Sequence, residues 1–366
     1  MALSTGSFCR ICRGEVSRGA EQVCACRGPQ SFAHLECLQH LARTRWPDLS
    51  FWERCPSCKT SYLGATRLGM ALELWDHAKE CPDDAALRCW SADFLATAHH
   101  EQGRHAEAAV LVREALEVRR EALGVEHPDT LASTNFLAMT LGGQGKYAEA
   151  AELFREILTV QRRELGPGDT KTLATANNLA TALGGQGKYA EAAELFRETL
   201  NVQRRDLGGM HPRALASANN LAMALHGQGL FAEAAELARE TLHAERDMMG
   251  AEHPDTLVSA DNLATALCGQ GRCGEAAELF RETWNVRRRV LGAEHPSTLA
   301  SVSSLSTALH GDSQYAESAE LMRAIVDVQR WGWEGKEPGS PVASASKSRL
   351  AHLCRPTCWR QAFLIT

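Results

Sequence analysis

"GGQGKYAEAAELFRE" fills residues 142–156 and returns unchanged at residues 184–198, a step of 42 residues. Related stretches begin at His100 ("HEQGRHAEAAVLVRE"), His226 ("HGQGLFAEAAELARE"), Cys268 ("CGQGRCGEAAELFRE") and His310 ("HGDSQYAESAELMR"). "HPDTL" at 127 comes back as "HPRAL" at 211, "HPDTL" at 253 and "HPSTL" at 295 on the same step. A fixed period of this size predicts a solenoid, in which each unit buries its apolar face against the next.

Each unit reads as two helices. The first runs from the "HPDTLA" start to the glycines near "GGQG"; proline is favoured just inside a helix start, where its missing N–H needs no partner. The second runs from "KYAEAAELF" through "VQRREL" to a stop at Gly124, Gly166, Gly208, Gly250 or Gly292, residues that tolerate a positive φ. Ala150, Ala192, Ala234 and Ala276 stand three residues before the large position held by Leu153, Leu195 and Leu279. Small and large residues at helical spacing let neighbouring helices approach.

The pattern resembles the tetratricopeptide repeat in the 42-residue form of kinesin light chains. The matching residues are "NNLA" at 177–180 and 219–222, "DNLA" at 261–264, "GKYAEAAELF" and the "G-x-x-HP" connection. The resemblance spans residues 85–330, about six units, with a degenerate first unit and an altered last one, as capping repeats require. The light chain's heptad coiled coil is absent, so a motor-subunit role is not implied. What the resemblance implies is a groove lined by first helices, with the two residues before "LA" facing it: Asn177 and Asn178, Asn219 and Asn220, Asp261 and Asn262, and Asn135 one unit earlier. An amide both donates and accepts, so such a ladder suits the backbone of an extended peptide from a substrate or adaptor. The competing reading is that these asparagines bridge neighbouring helices.

Ahead of the array, seven of thirteen cysteines fall within residues 9–58. With His34 they form four pairs: Cys9 and Cys12, Cys24 and Cys26, His34 and Cys37, Cys55 and Cys58. Eight soft ligands fill two tetrahedral zinc sites with none left over. A segment this small lacks an adequate apolar core, so two Zn2+ ions would provide much of its folding free energy. Spacing alone leaves two arrangements open, sequential or interleaved.

The order of ligands resembles the RING-CH variant of the RING finger over residues 8–60: the opening "CRIC", the one-residue gap in "CAC", the seven residues before His34, and "HLECLQHL" leading into a helix. PHD fingers share the order but usually carry a wider second pair and a tryptophan two residues before the seventh ligand; Glu53 stands there, with Trp52 one residue off. The RING-CH resemblance implies interleaving, with Cys9, Cys12, His34 and Cys37 on one zinc and Cys24, Cys26, Cys55 and Cys58 on the other. It implies ubiquitin ligase activity, with a ubiquitin-conjugating enzyme contacted through Ile11, Leu41 and Pro56. Leu41 departs from the usual tryptophan. Lys59, just after the eighth ligand, is where a basic residue touches both ubiquitin and the enzyme. Such a ligase needs no catalytic residue of its own, and the evenly repeating histidines, glutamates and arginines of the array form no catalytic constellation.

The remaining features set limits. A net charge of −6 argues against a general nucleic-acid binder. The arginine pairs 119–120, 162–163 and 204–205 and the triplet 287–289 end second helices that begin with glutamates, a dipole-matched, solvated face. No run approaches the ~18 apolar residues of a membrane span. An odd cysteine count without an export signal points to the cytosol or nucleus. The expected architecture is therefore mainly α: a two-zinc, cross-braced finger over residues 1–60, a helix-forming joint over 61–84, the all-α tetratricopeptide array over 85–330, and a Pro/Gly/Ser-rich, disordered tail over 331–366. The expected function is a RING-type ligase; its alternatives are a non-enzymatic zinc-finger and repeat scaffold and, behind that, a PHD-like reader of histone tails.

Overall fold

The computed structural model describes residues 9–12, 23–26, 33–81 and 83–323. The tail 331–366 and the run between Cys26 and His34, apart from Ala33, lie outside the described residues. The chain forms two compact units, residues 1–160 and 161–366.

The first unit holds α1 (Leu35–Thr44), α2 (Ser50–Glu53), α3 (Gly64–Lys79), α4 (Ala85–Glu101), α5 (His105–Leu123), α6 (Pro128–Gly143) and most of α7 (Tyr147–Glu164). Among the described residues there is no strand, only an isolated antiparallel bridge between Arg54 and Ser61. Residues 61–84 carry α3, which is part of the core. One buried cluster runs from Cys9, Cys24 and Cys55 through Trp52 and Tyr62 to Met70 and Leu74 of α3, and on to Phe94 and Leu95 of α4. Each fully buried large apolar side chain contributes about 1.5–3 kcal/mol. The finger and the first repeat therefore share a single apolar core through α3. Gly69 makes room for this, since a Cβ there would collide with Leu35 Cδ2. Gln39 Nε2 donates to the Gly69 carbonyl at 3.1 Å across the same contact.

The second unit holds α8 (Thr170–Gly185), α9 (Tyr189–Leu207), α10 (Pro212–Gly227), α11 (Phe231–Met249), α12 (Pro254–Gly269), α13 (Cys273–Leu291) and α14 (Pro296–Gly311). Residues 315–323 are helical up to the edge of the described region. The helices pair as antiparallel hairpins, first helix against second, as the 42-residue period requires. Nδ1 of His127, His211, His253 and His295 accepts from the backbone N–H two residues on, at 3.2–3.3 Å, capping the first helix. Asp169 does the same for α8 at 2.8 Å. Gly208 ends α9 at φ 91°, a conformation that other L-residues resist. Neighbouring repeats interlock where a glycine faces a ring: a Cβ at Gly269 would collide with the Phe231 ring, and one at Gly227 would stand 2.6 Å from the Tyr189 ring.

Candidate metal centres and peptide groove

The cysteines and histidine of the head converge into two groups. The ligand atoms of Cys9, Cys12, His34 and Cys37 all lie within 4.8 Å of one another, and so do those of Cys24, Cys26, Cys55 and Cys58. The first and third pairs meet, as do the second and fourth. Short turns aim the atoms. Cys9 Sγ accepts from the His34 N–H at 3.4 Å, and Cys55 Sγ from the N–H groups of Ser57 and Cys58 at 3.3 and 3.5 Å. His34 presents Nδ1, 3.3 Å from Cys12 Sγ and 3.8 Å from Cys37 Sγ.

Arg10, inside the first pair, reaches across to the other group. Its Nη1 donates to the sulfurs of Cys55, Cys24 and Cys26 at 3.2, 3.6 and 3.7 Å. Without a cation the sulfurs are mismatched acids. Burial and neighbouring sulfurs push Cys26 and Cys37 up to about 12. At Cys9, burial is outweighed by the N–H groups of Cys12, His34 and Ile11, which bring it down to about 6. Cys58, facing the Thr60 hydroxyl at 3.0 Å, also falls to about 6. A divalent cation removes this conflict by holding all four donors deprotonated. One donor set is three thiolates and an imidazole, and the other is four thiolates. Both fit closed tetrahedral zinc, so the two groups could hold metal ions.

Around them, Ile11 is 39% exposed, Leu41 and Pro56 are half-buried, and Lys59 is exposed at φ 60° in the turn closing the last pair.

The second unit carries a groove of about 470 Å³ along α8, α10 and α12, flanked by the ends of α9 and α11. Asn177, Asn219, Asn220 and Asn262 line it. Asn178 is half-buried and is not among its lining residues. Asn135 belongs to the first unit, where its Nδ2 donates to Met139 Sδ at 3.5 Å. Asn219, only 7% exposed, is also a bridge. Its Nδ2 donates to Glu245 Oε1 at 3.1 Å, and its Oδ1 accepts from Ser259 at 2.8 Å and from Asn262 at 3.4 Å.

The sequence reading missed a set of polar clamps at the helix interfaces. Each joins a first helix, the second helix of the same repeat 26 residues on, and the next first helix. In the first unit Arg119 pairs with Asp93 at 2.6 Å and donates to Ser133 at 2.5 Å. In the second, Arg287 pairs with Asp261 at 2.5 Å and meets Ser301. The solvated reading of all the helix-end arginines is thus corrected: Arg287 is 5% exposed, because its position faces the carboxylate on the adjacent helix. Other members of those runs do stay outside. Arg162 and Arg246 pair with Glu198 and Glu282 of the following second helix at 3.0 and 3.2 Å. The 42-residue register held constant from Asp93 and Arg119 could have revealed the clamps.

Comparison with known proteins agrees with this architecture. A tetratricopeptide-repeat profile matches residues 87–163, 133–205 and 171–244, and a second such profile matches 256–297. No curated protein matches the chain. Among solved structures, a point variant of a putative kinesin light chain from Podosopora anserina, with nearly identical TPR-like repeats, is 32% identical over 57% of this chain and 98% of that one, with a TM-score of 0.50. BtubC (BKLC) from P. vanneervenii is 21% identical over 63% and 92%, with a TM-score of 0.51, a likeness of fold alone. The apo form of RapI shares the fold at 13% identity over 72% and 91%, with a TM-score of 0.55. Repeats of this kind serve as scaffolds that bind partner proteins. From its profile matches, period and helix pairing, the chain belongs to the tetratricopeptide-repeat family.

Proposed function

We propose that this chain is a RING-type ubiquitin ligase, with the finger recruiting the charged conjugating enzyme and the repeats recruiting the substrate. The observation that carries the reading is the interleaving of the ligand pairs, first with third and second with fourth. Sequential zinc fingers do not produce it. Cys9, Cys12, His34 and Cys37 would hold one Zn2+, and Cys24, Cys26, Cys55 and Cys58 the other. When bound, zinc supplies no reaction chemistry, because four protein ligands leave no open position.

The chain's own residues act by presentation. Ile11, exposed between Cys9 and Cys12, offers the apolar contact to the conjugating enzyme, with Leu41 and Pro56 beside it in role and Lys59 reaching ubiquitin. The groove of the second unit holds an extended peptide of the substrate. Bringing thioester and lysine together makes the transfer effectively unimolecular, a gain worth up to about 7–11 kcal/mol in well-oriented systems. The ubiquitin passes directly from the enzyme to the lysine, with no intermediate on this chain.

A self-ubiquitination assay with a broad panel of conjugating enzymes tests this. Chains that form with the parent protein and drop at least tenfold with Ile11→Ala are expected. A panel that yields no chains overturns the ligase reading and leaves a binding scaffold.

A further inference from the structure

Among the polar clamps, Asp93 and Asp261 are the carboxylates on first helices, and each has an internal arginine, Arg119 or Arg287. Glu245 occupies the arginine's place in its own repeat, on a second helix. It is 1% exposed, lines the groove, and hydrogen-bonds to Asn219 and Ser259. No guanidinium or ammonium pairs with it among the described residues. An unpaired buried carboxylate is costly, and proteins retain such groups chiefly where they act on a ligand. Packing does not demand it. The 42-residue register places Gln161 and Gln203 at the same position, so a neutral amide of the same length fits.

A second observation points into the same groove. One repeat earlier, Gln203 is 4% exposed and lines the cavity, yet its Oε1 has no hydrogen-bond partner among the described residues. Asn177 Oδ1, also in the lining, is likewise unpaired. These are acceptors awaiting donors, and a buried acceptor left without one is rare in a folded protein. The ionisable lining is acidic on balance: Asp206, Glu245 and Asp255 face one arginine, Arg213, whose Nη1 already donates to Thr170 at 3.3 Å. Asp206 is held by Arg205, which leaves Glu245 as the buried charge to be matched.

We infer that the groove selects an extended peptide with a lysine or arginine side chain seated on Glu245, its backbone N–H groups donating to Asn177 and Gln203 one repeat earlier. The peptide's cation supplies from outside the charge that Arg119 and Arg287 supply internally in their own clamps. Apolar flanks of the peptide then lie against Met223 and Val258. This deepens the substrate-binding half of the proposed function and rests on it.

The test uses the full chain. Arrayed extended peptides in which one position is lysine, arginine, alanine or glutamate are screened for binding, and the strongest binder is titrated against the parent and Glu245→Gln. Enrichment of lysine or arginine at one position, with at least a tenfold affinity loss in Glu245→Gln, is expected. The variant's thermal midpoint shows that it folds, as Gln203 predicts. Peptides that bind with neutral or acidic preference, or with an affinity that Glu245→Gln leaves unchanged, overturn this inference alone. An array with no binder overturns the peptide-groove reading as well.

Discussion

Arg119 Nη2 lies 2.6 Å from Asp93 Oδ2, joining the second helix of the first repeat to its own first helix, while Nη1 of the same guanidinium donates to Ser133 of the next. One side chain thus clamps three helices. Where the register continues, the same two positions hold the neutral amides Asn177 and Gln203, and Asn177 Nδ2 donates to Ser217 of the next first helix at 2.9 Å. Replacing Arg119 alone by Gln leaves a carboxylate without its cation and should cost about 1–3 kcal/mol. Adding Asp93→Asn should recover most of that, because the double variant leaves no unmatched charge and carries the same two neutral amides as Asn177 and Gln203. A double-mutant cycle by urea unfolding measures the coupling; simple additivity would disprove it.

The histidine caps give a graded prediction. His253 Nδ1 accepts from the Asp255 N–H at 3.3 Å. His253→Ala should lower stability by about 1 kcal/mol, the usual worth of an N-cap. His253→Asp should be close to neutral, since Asp169 caps α8 in the same way. Thermal melts of the two variants decide it, and equal losses would refute the capping role.

Metal content and its structural reach can be read together. Elemental analysis should find two zinc ions per chain, and Cys58→Ser should lower that number. Because the core runs from the ligand cysteines through Leu74 to Phe94, chelation should increase hydrogen exchange in α3 and α4 while leaving α10–α14 unchanged. Unaltered exchange in α3 and α4 would show that the finger and first repeat do not share stability.

Buried histidines set a pH response. Burial holds His226 and His100 below their ordinary value. A group held down in the folded chain binds its proton more readily once the chain unfolds, so its stabilising contribution is full above about pH 6.5 and is lost as pH falls through the folded value. Glu245 runs the other way. Burial raises it, with Asp255 adding, so its contribution grows as pH falls. The midpoint difference between about pH 7.5 and about pH 5.5 should therefore shrink in His226→Gln and widen in Glu245→Gln. No change in either variant would remove these groups from the pH response.

Much of the fold was legible in sequence because its signals are local. Proline after histidine starts α6, α10, α12 and α14, and glycine stops α5, α9, α11 and α13; both act through the backbone of their own residues. The 42-residue period then forces hairpins to stack on their copies. The four ligand pairs were visible too, as residues, although their spacing left the pairing open.

Tertiary structure decided what depends on neighbours distant in the chain. It brought Cys9 and Cys12 to His34 and Cys37, and Cys24 and Cys26 to Cys55 and Cys58. It drew α3 into the core, and it buried Arg287 against Asp261 while leaving Arg246 outside on Glu282. The environment of Glu245 belongs to the same class. The sequence determined that a glutamate stands where other repeats carry glutamine or arginine. Only the packing of α10, α11 and α12 determined that its carboxylate is buried at a groove with no lysine or arginine paired to it among the described residues, because burial and charge pairing are properties of facing surfaces and not of position in the repeat.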